Sequence, residues 1–550
     1  MNDLLYKKNI LALSSHDSNL SFEISSLKPL NSVMTVPAKD GNIIPVIEKN
    51  NTKIQLHSMY DPISEAEKLY QTSKKGSSFI VIYGLGGGYH ILPYLNDDFI
   101  ENILIIDTGK RYLRKIVEDI DLTAIFTNPK VNILFDPDFA ELSEFISGKY
   151  LPAVFGNLNI VHLKNRVQSE SIFFEKVTNN INLILDKVSN DFASQAFFGK
   201  RWFKNIINNL KYAEAQQLIP KTKQKAAIVG AGPTLELQIE HLKNNIKDTL
   251  IFASDTAAGY LLLNNITPDY IISIDCQHIT YNHLTGYNLK DIPIIIELGS
   301  PVFLSRYFKN RIYVTSGNPL SCLIASVWRY FQYVDTAGGN VSYAGLSIAS
   351  SIGIDEITLY GVDYSYINYK PYARDTFIYK YFNKNSIKTN SLENSVYSFA
   401  SNSNLYECSK KDVYSNSRMD FYYKSMLSYI KKEDINVKSA PFAPRKIFHK
   451  NKKNNGMEYK LFSSGSPKMA WNVFLEGYKE SLMALPDFKN QYNKYFISLS
   501  KKEREIWTTI YPVCATFRKE LREENLSTPQ VLRITKEWCI NEIEKVISYI

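Results

Sequence analysis

Apolar positions along the chain fall into two rhythms, short continuous runs and longer stretches at helical spacing. Near the start, the runs Val33 to Val36 and Ile43 to Ile47 are separated by Pro, Gly and Asn and read as small strands. SFIVIYGLGGGYH at 78–90 is a buried strand entering a glycine turn, and NILIID ends a second strand at Asp107. Helical periodicity from Tyr112 to Ile120 completes a βαβ unit. Phe173, Phe174, Val177, Ile181 and Ile184 recur at helical spacing within 168–217, and GKRWFKNIINNL caps that helical bridge. A second series follows: AAIVG (226–230), LIFAS (250–254), YIISID (270–275), PIIIEL (293–298), RIYVT (311–315) and EITLY (356–360). Helical patterns lie between most of these runs, which predicts a mostly parallel sheet covered on both faces. From Ser466 to Ile550 the pattern is helical throughout, with Ser466 as N-cap and Pro467 at the first helical position.

These rhythms predict an α/β protein. A Rossmann-like doubly wound central domain at 221–440 follows an N-terminal α/β Rossmann-like domain at 1–165 and a helical bridge at 166–220. A basic linker at 441–465 leads to an all-α C-terminal domain at 466–550. A chain of 550 residues is too long for one ordinary core. The Asn- and Ser-rich stretch 381–404 reads as a flexible lid or a plain surface loop, and RKIFHKNKKNNG at 445–456 as a solvated connection.

Composition narrows the classes. Hydrophobic content of 45% with 22% charge describes a globular chain rather than a disordered one. A net charge of +9 is compatible with an anionic substrate, but no stretch joins dense Lys/Arg to a nucleic-acid module, so nucleic acid is not expected as a partner. The cysteines Cys276, Cys322, Cys408, Cys514 and Cys539 are scattered and predict reduced thiols. No apolar run is long enough to span a bilayer and the N-terminus is too short in apolar residues for a signal peptide, which predicts a cytoplasmic protein.

Candidate chemistry collects at strand ends of the central domain. In VGAGPT, Gly230 and Gly232 let backbone approach a ligand closely, and Pro233 and Thr234 sit where a helix begins, with free N–H groups and a positive dipole end. The next strands end in Ser254-Asp255 and in Asp275, followed by Gln277. Ligands bind at the carboxyl ends of strands in open parallel sheets, so these groups converge on one crevice, although Asp255 and Asp275 also suit helix N-caps. Gly338, Gly339, Asn340 and Ser342 offer a loop whose N–H groups can face a phosphate. The strand 357–360 delivers Asp363, Tyr364 and Tyr366 to the same edge, and PYARDT follows at 371–376.

The Gly-x-Gly-Pro-Thr turn, the Ser-Asp and Ile-Asp strand ends and the Gly-Val-Asp-Tyr strand end resemble the central domain of motility-associated (Maf) flagellin glycosyltransferases. That domain is similar to bacterial sialyltransferases that use CMP-sialic acid, which carry a Gly-x-Gly-Pro-Ser turn and a Tyr-Ala-x-Asp-Thr stretch; Tyr372 to Thr376 match the latter. The resemblance covers roughly residues 60–440. It implies an inverting, metal-independent transfer of a nonulosonic acid (pseudaminic or legionaminic type) or related 2-keto sugar from a CMP-sugar to Ser/Thr hydroxyls of flagellin, with no cofactor required. It also implies two tyrosines on the leaving phosphate, Tyr372 and either Tyr364 or Tyr366, whose phenols would stabilise the departing charge. The family's histidine base follows the tyrosines. Here no His lies between His283 and His449, which leaves Asp363 and His278 as candidates.

Two other readings stay open. The central domain also resembles an archaeal pterin pyrophosphokinase, which would use ATP and Mg²⁺ with Asp255, Asp275 and Asp363 as ligands. A non-catalytic flagellin-binding factor is the third. The N-terminal YGLGGGYH, with Gly84, Gly86, Gly88 and Asp107, suits either a dinucleotide or methyl-donor site or a retained scaffold with an empty turn.

Overall fold

Runs of consecutive buried residues build the centres of two parallel sheets. β4 (Phe79–Tyr83) and β5 (Asn102–Asp107) are buried at every position, as are β9 (Thr249–Ser254), β10 (Tyr270–Ser273) and β11 (Ile294–Glu297). Burial on both pleat faces is what a parallel sheet sandwiched between helices requires. The computed structural model describes residues 3–548 other than 74–75, 216–222, 385, 403, 409–410, 452–464, 489–491 and 525. The expected domain boundary at 220/221 and most of the basic linker lie outside the described residues.

Packing divides the chain into two compact units, Met1–Lys200 with Leu482–Trp538, and Arg201–Ser481 with Cys539–Ile550. In the first, β1 (Val33–Pro37), β2 (Ile43–Lys49) and β3 (Thr52–Gln55) form an antiparallel sheet. β4, β5, β6 (Val131–Phe135) and β7 (Leu158–His162) form a parallel sheet in the order β6-β5-β4-β7. In the second unit, β8 (Lys225–Val229), β9 to β11, β12 (Arg311–Thr315), β13 (Gln332–Tyr333) and β14 (Glu356–Tyr360) join in parallel. With β18 (Val437–Ser439) and β19 (Phe448–His449) they make a nine-stranded sheet, β13-β12-β11-β10-β9-β8-β14-β18-β19. The order reverses between β8 and β14. A small antiparallel sheet of β15 (Tyr366–Ile367), β16 (Tyr406–Glu407) and β17 (Val413–Ser415) stands beyond β14.

β1, β2, β4, β5, β8 to β12 and β14 thus fall where the apolar runs place them, β3, β6, β7, β13 and β15 to β19 stand outside those runs, and several other expectations change. The helices Asp3–His16 and Ser18–Ser26 occupy a stretch without clear periodicity. They hold because the fully buried Asn9 donates to the carbonyls of Val117 (2.9 Å) and Ile120 (2.7 Å) at the end of another helix and accepts from Leu122 N (2.9 Å). Residues 199–210 do not cap a helix; they continue the helix Ser171–Ala213. Ser466 and Pro467 do not start one either. The helix begins at Trp471, whose N–H donates to Glu214 Oε1 (2.7 Å), while Lys468 N and Met469 O are bonded to the backbone and indole of Trp328. The stretch 381–404 carries helical residues from Phe377–Lys384 and Leu392–Ser401 rather than a plain loop. No helix among the described residues is long and apolar enough to cross a membrane.

The N-terminal glycine turn is filled by protein, not empty. Gly84, Gly86 and Gly88 adopt φ of +89°, +52° and +83°, conformations that suit glycine. A Cβ would meet Arg166 Cγ at 2.7 Å from Gly84, His57 Nε2 at 2.6 Å from Gly86 and Ile125 Cδ1 at 2.5 Å from Gly88. His57 Nε2 accepts the Gly87 N–H (2.8 Å), which takes up a turn donor that could face a ligand. Asp107, the acid that would meet a ribose, accepts from Leu85 N (2.8 Å), Thr108 N (2.7 Å) and Arg166 Nε (2.9 Å). Arg166 and Asp107 are both buried. Removing one partner of such a pair strands the other charge, so Arg166→Met should cost about 3–5 kcal/mol in urea unfolding followed by circular dichroism. Arg166→Met with Asp107→Asn should recover part of the loss.

Candidate active site

At the switch point between β8 and β14, the ends of β8, β9, β10 and β14 open into a cavity of about 300 Å³. The turn after β8 presses against the turn after β14. Gly230 N donates to Tyr360 O and Gly232 N to Gly361 O, both at 2.8 Å. A Cβ on Gly230 or on Gly232 would lie 2.6 Å from Gly361 O, and one on Gly232 also 2.5 Å from Asp363 Oδ2. The glycines are therefore needed for strand-end contact, and their N–H groups are already used. They still line the cavity floor.

Asp363 fastens the same junction. It is buried, and its carboxylate accepts from Thr234 N (2.9 Å) and from the Thr234 hydroxyl. Burial pushes its carboxyl up to about 6, against those two hydrogen bonds. Thr234 is buried behind the turn, and neither it nor Pro233 lines the cavity. Gly338 and Gly339 also stand outside it: Gly338 makes room for the ring of Tyr343, and Gly339 N donates to Thr336 O (2.9 Å). Gln277 turns back to Asp275, its N–H donating to Oδ1 (2.9 Å). Asn340 and Ser342 do reach the cavity. Asn340 caps the helix Val341–Ser351 by accepting from Tyr343 N (3.0 Å), and Asn340, Val341 and Ser342 bring the start of that helix, with its positive dipole end, to the cavity. Gly345 lets this helix lie close on the sheet, since a Cβ there would be 3.1 Å from Ile228 and 3.2 Å from Ile272.

One wall is phenolic. Tyr364, Tyr366 and Tyr372 line the cavity together with Tyr422 from the helix Ser417–Lys432. Tyr364 is buried at φ +48°, with the side chain of Asn340 beside its hydroxyl. Burial pushes its phenol up, against the side chain of Asn340. The Tyr366 hydroxyl accepts from Asn416 Nδ2 at 3.4 Å. Burial, then Tyr366, Asp255 and Tyr422, push Tyr372 up to about 12, so at neutral pH it is a hydrogen-bond donor.

Acids and an imidazole line the same cavity. Ser254 caps the helix Asp255–Leu263. Asp255 accepts from Ser273 Oγ (2.8 Å) and Thr256 N (2.7 Å) and lies 3.7 Å from His283 Nδ1. Burial alone would raise the Asp255 carboxyl, but His283, Ser273 and Thr256 hold it below its ordinary value. Burial, with the charge of Asp255 adding, raises Asp275. His283 Nδ1 shares a hydrogen bond with Thr256 Oγ1 (2.7 Å), its ring stacks on Phe377 at 5.6 Å, and its Nε2 makes no hydrogen bond among the described residues. His283 precedes the tyrosines in the chain, whereas the resemblance implies a histidine after them. The signal available was position: His283 follows the β10 strand end within one short helix. The alternative candidate His278 is exposed and does not line the cavity.

Comparison with known proteins agrees with this architecture. The family described as 6-hydroxymethylpterin diphosphokinase MptE-like matches residues 200–369. An uncharacterized protein of Treponema pallidum (strain Nichols) is 34% identical over 171 residues, 30% of this chain and 79% of that protein. The 6-hydroxymethyl-7,8-dihydropterin pyrophosphokinase of Pyrococcus furiosus is 26% identical over 184 residues, 31% of this chain and 70% of that enzyme. A solved structure of the Maf glycosyltransferase from Magnetospirillum magneticum AMB-1 superimposes with a TM-score of 0.57 at 13% identity, covering 100% of this chain and 97% of that one. That likeness establishes a shared fold.

The junction carries a pH signature. The folded-state value of about 6 for Asp363 lies above its ordinary 3.8, so folding favours the protonated carboxyl. Its contribution is fully present below the ordinary value and is lost as pH rises through about 6. Asp363→Asn cannot ionise, so the stability of the natural protein relative to this variant should fall between about pH 4 and 7 and then level off. Melting temperatures of both proteins across that range check this; a constant difference would contradict it.

Proposed function

We propose, for a chain that belongs to the same family as the Treponema pallidum protein and has the Maf glycosyltransferase fold, that it is a glycosyltransferase using a CMP-activated 2-keto sugar. The donor is a nonulosonic acid of pseudaminic or legionaminic type, the acceptor a Ser/Thr hydroxyl of flagellin, and the reaction inverting and independent of metal in the cytoplasm. The observation that carries this reading is that phenols and an imidazole backed by a carboxylate line one switch-point cavity.

In this reading the phosphate lies at the first turn of the helix Val341–Ser351, near Asn340 and Ser342, where the helix end favours an anion. Tyr372 and Tyr364 donate to the phosphate as its bond to the sugar breaks, and Tyr366 stands beside them. His283, with Nδ1 turned to Thr256 and Asp255, presents Nε2 to take the proton of the acceptor hydroxyl. Asp363 acts as a positioning residue, holding the β14 end that carries Tyr364 against the β8 turn.

A second reading, an ATP- and Mg²⁺-dependent pyrophosphokinase, is favoured by the match at 200–369 and by Asp255 and Asp275 sharing the cavity. Its third carboxylate, Asp363, is taken up by Thr234. Ligand-induced shifts in melting temperature separate the two readings: CMP should stabilise the protein without added metal, and ATP with Mg²⁺ should not. Incubation with flagellin and a panel of CMP-sugars should add mass to flagellin. No added mass and no shift with CMP would overturn the proposal. Tyr372→Phe should lower the transfer rate by about 10²–10³ while retaining flagellin binding. His283→Ala should lower it by about 10²–10⁴ and leave the CMP shift intact.

A further inference from the structure

The first unit keeps open space at the end of its parallel sheet away from the filled glycine turn. Gly76, Phe99 and Gly156 precede β4, β5 and β7, and all three line a cavity of about 470 Å³. Most of the remaining lining comes from the helices Ser171–Ala213, Lys501–Glu520 and Thr528–Ser548 and from the stretch between the last two. Every lining residue belongs to that one unit. A Cβ on Gly156 would meet nothing within 4 Å, so the space reaches bare backbone. Its volume falls in the range of small-molecule sites, roughly 300–1,000 Å³.

Every charged side chain that lines the cavity is a cation: Arg518, Lys519 and Arg522. Arg518 is locked in place by neutral oxygens alone. It donates to the carbonyls of Ala153 (3.3 Å), Val154 and Leu526 (2.7 Å) and to Thr528 Oγ1 (3.1 Å). Burial works against its charge, and none of these partners neutralises it. Lys519 lies over the Phe197 ring at 4.9 Å, and neither it nor Arg522 pairs with a carboxylate among the described residues. Of the acids nearby in sequence, Glu520 is taken by Lys200, while Glu523 and Glu524 are exposed and stand outside the lining. The negative end of the helix Lys501–Glu520 favours cations in its last turn. That preference does not explain an open space beside them.

The rest of the lining selects what the anion is attached to. Phe99, Phe192, Phe517, Leu521, Leu526 and Val531 are apolar, and Asn157 supplies the one neutral polar side chain. A nucleotide or a sugar phosphate would bring base or hydroxyl groups that such walls leave unpaired. Inorganic phosphate would meet the cations but leave the apolar surface in contact with water. An anionic headgroup on an alkyl or aryl body satisfies both parts of the lining.

We infer that this cavity binds a small amphipathic anion, a phosphate or carboxylate on an alkyl or aryl body, with Lys519 and Arg522 taking the headgroup and Arg518 supplying a fixed counter-charge. The site is separate from the switch-point cavity and does not depend on the transferase reading. Titration calorimetry on the full chain tests it, with decyl phosphate below its micelle threshold as the probe. Decyl phosphate should bind saturably, and inorganic phosphate and decanol at least tenfold more weakly. Lys519, Arg522 and Ala193 are exposed at the cavity, so substitutions there spare the core. Lys519→Glu/Arg522→Glu removes the headgroup contacts and Ala193→Trp fills the space. Each variant should lose at least tenfold in affinity while keeping the natural chain's melting temperature without ligand. No saturable binding, equal affinity of either variant, or inorganic phosphate binding as tightly as decyl phosphate overturns the inference. A lipid surface is the other source of this chemistry. Phosphatidylglycerol vesicles that bind the natural chain and Ala193→Trp alike, with decyl phosphate unable to compete, would place the anion on a membrane and overturn the cavity site.

Discussion

The buried carboxylate of Asp363 is the knot at the centre of the second unit. By accepting from the amide and hydroxyl of Thr234, it binds the turn after β8 to the end of β14 across the point where the strand order reverses. The two backbones come so close that neither Gly230 nor Gly232 has room for a Cβ. Tyr364 follows Asp363 directly, so the knot also sets where a phenol enters the cavity. The carboxylate sits in a desolvating environment that opposes its charge, and the two Thr234 hydrogen bonds offset that opposition only in part.

The same cavity holds acids in contrasting surroundings. Asp255 is as buried as Asp363, yet His283, Ser273 and Thr256 keep it ionised, while Asp275, nearer solvent, is raised by burial and by the charge of Asp255. Carboxylates with pKa values pushed in opposite directions within one crevice have different uses. One anchors backbone, and one orients an imidazole.

Much of this architecture was legible in the chain itself. Continuous apolar runs located the strands because strands buried on both faces leave no alternation to misread. The convergence of Asp255, Asp275, Asn340, Tyr364, Tyr366 and Tyr372 followed from strand ends meeting at one edge. What stayed hidden depended on distant contacts. Gly338 makes room for Tyr343 and Thr234 donates to Asp363, so residue types suited to a ligand serve the fold instead. His283 lay before the tyrosines in sequence and reaches them only through the fold. The helix at Asp3–His16 rests on a polar residue, Asn9, that satisfies carbonyls more than a hundred residues away.

The filled glycine turn of the first unit bears on how its sheet could change over time. Trimming Arg166 to open space beside Gly84 leaves Asp107 charged in an apolar interior; replacing Asp107 alone strands Arg166. Replacing His57 leaves the Gly87 amide without its acceptor. Each single step towards an open crevice passes through a less stable protein, and the steps couple because they share contacts. The glycine-rich strand end is thereby locked into a supporting part, and new chemistry in this protein has an easier route through the second unit's loops than through a motif that looks ready-made.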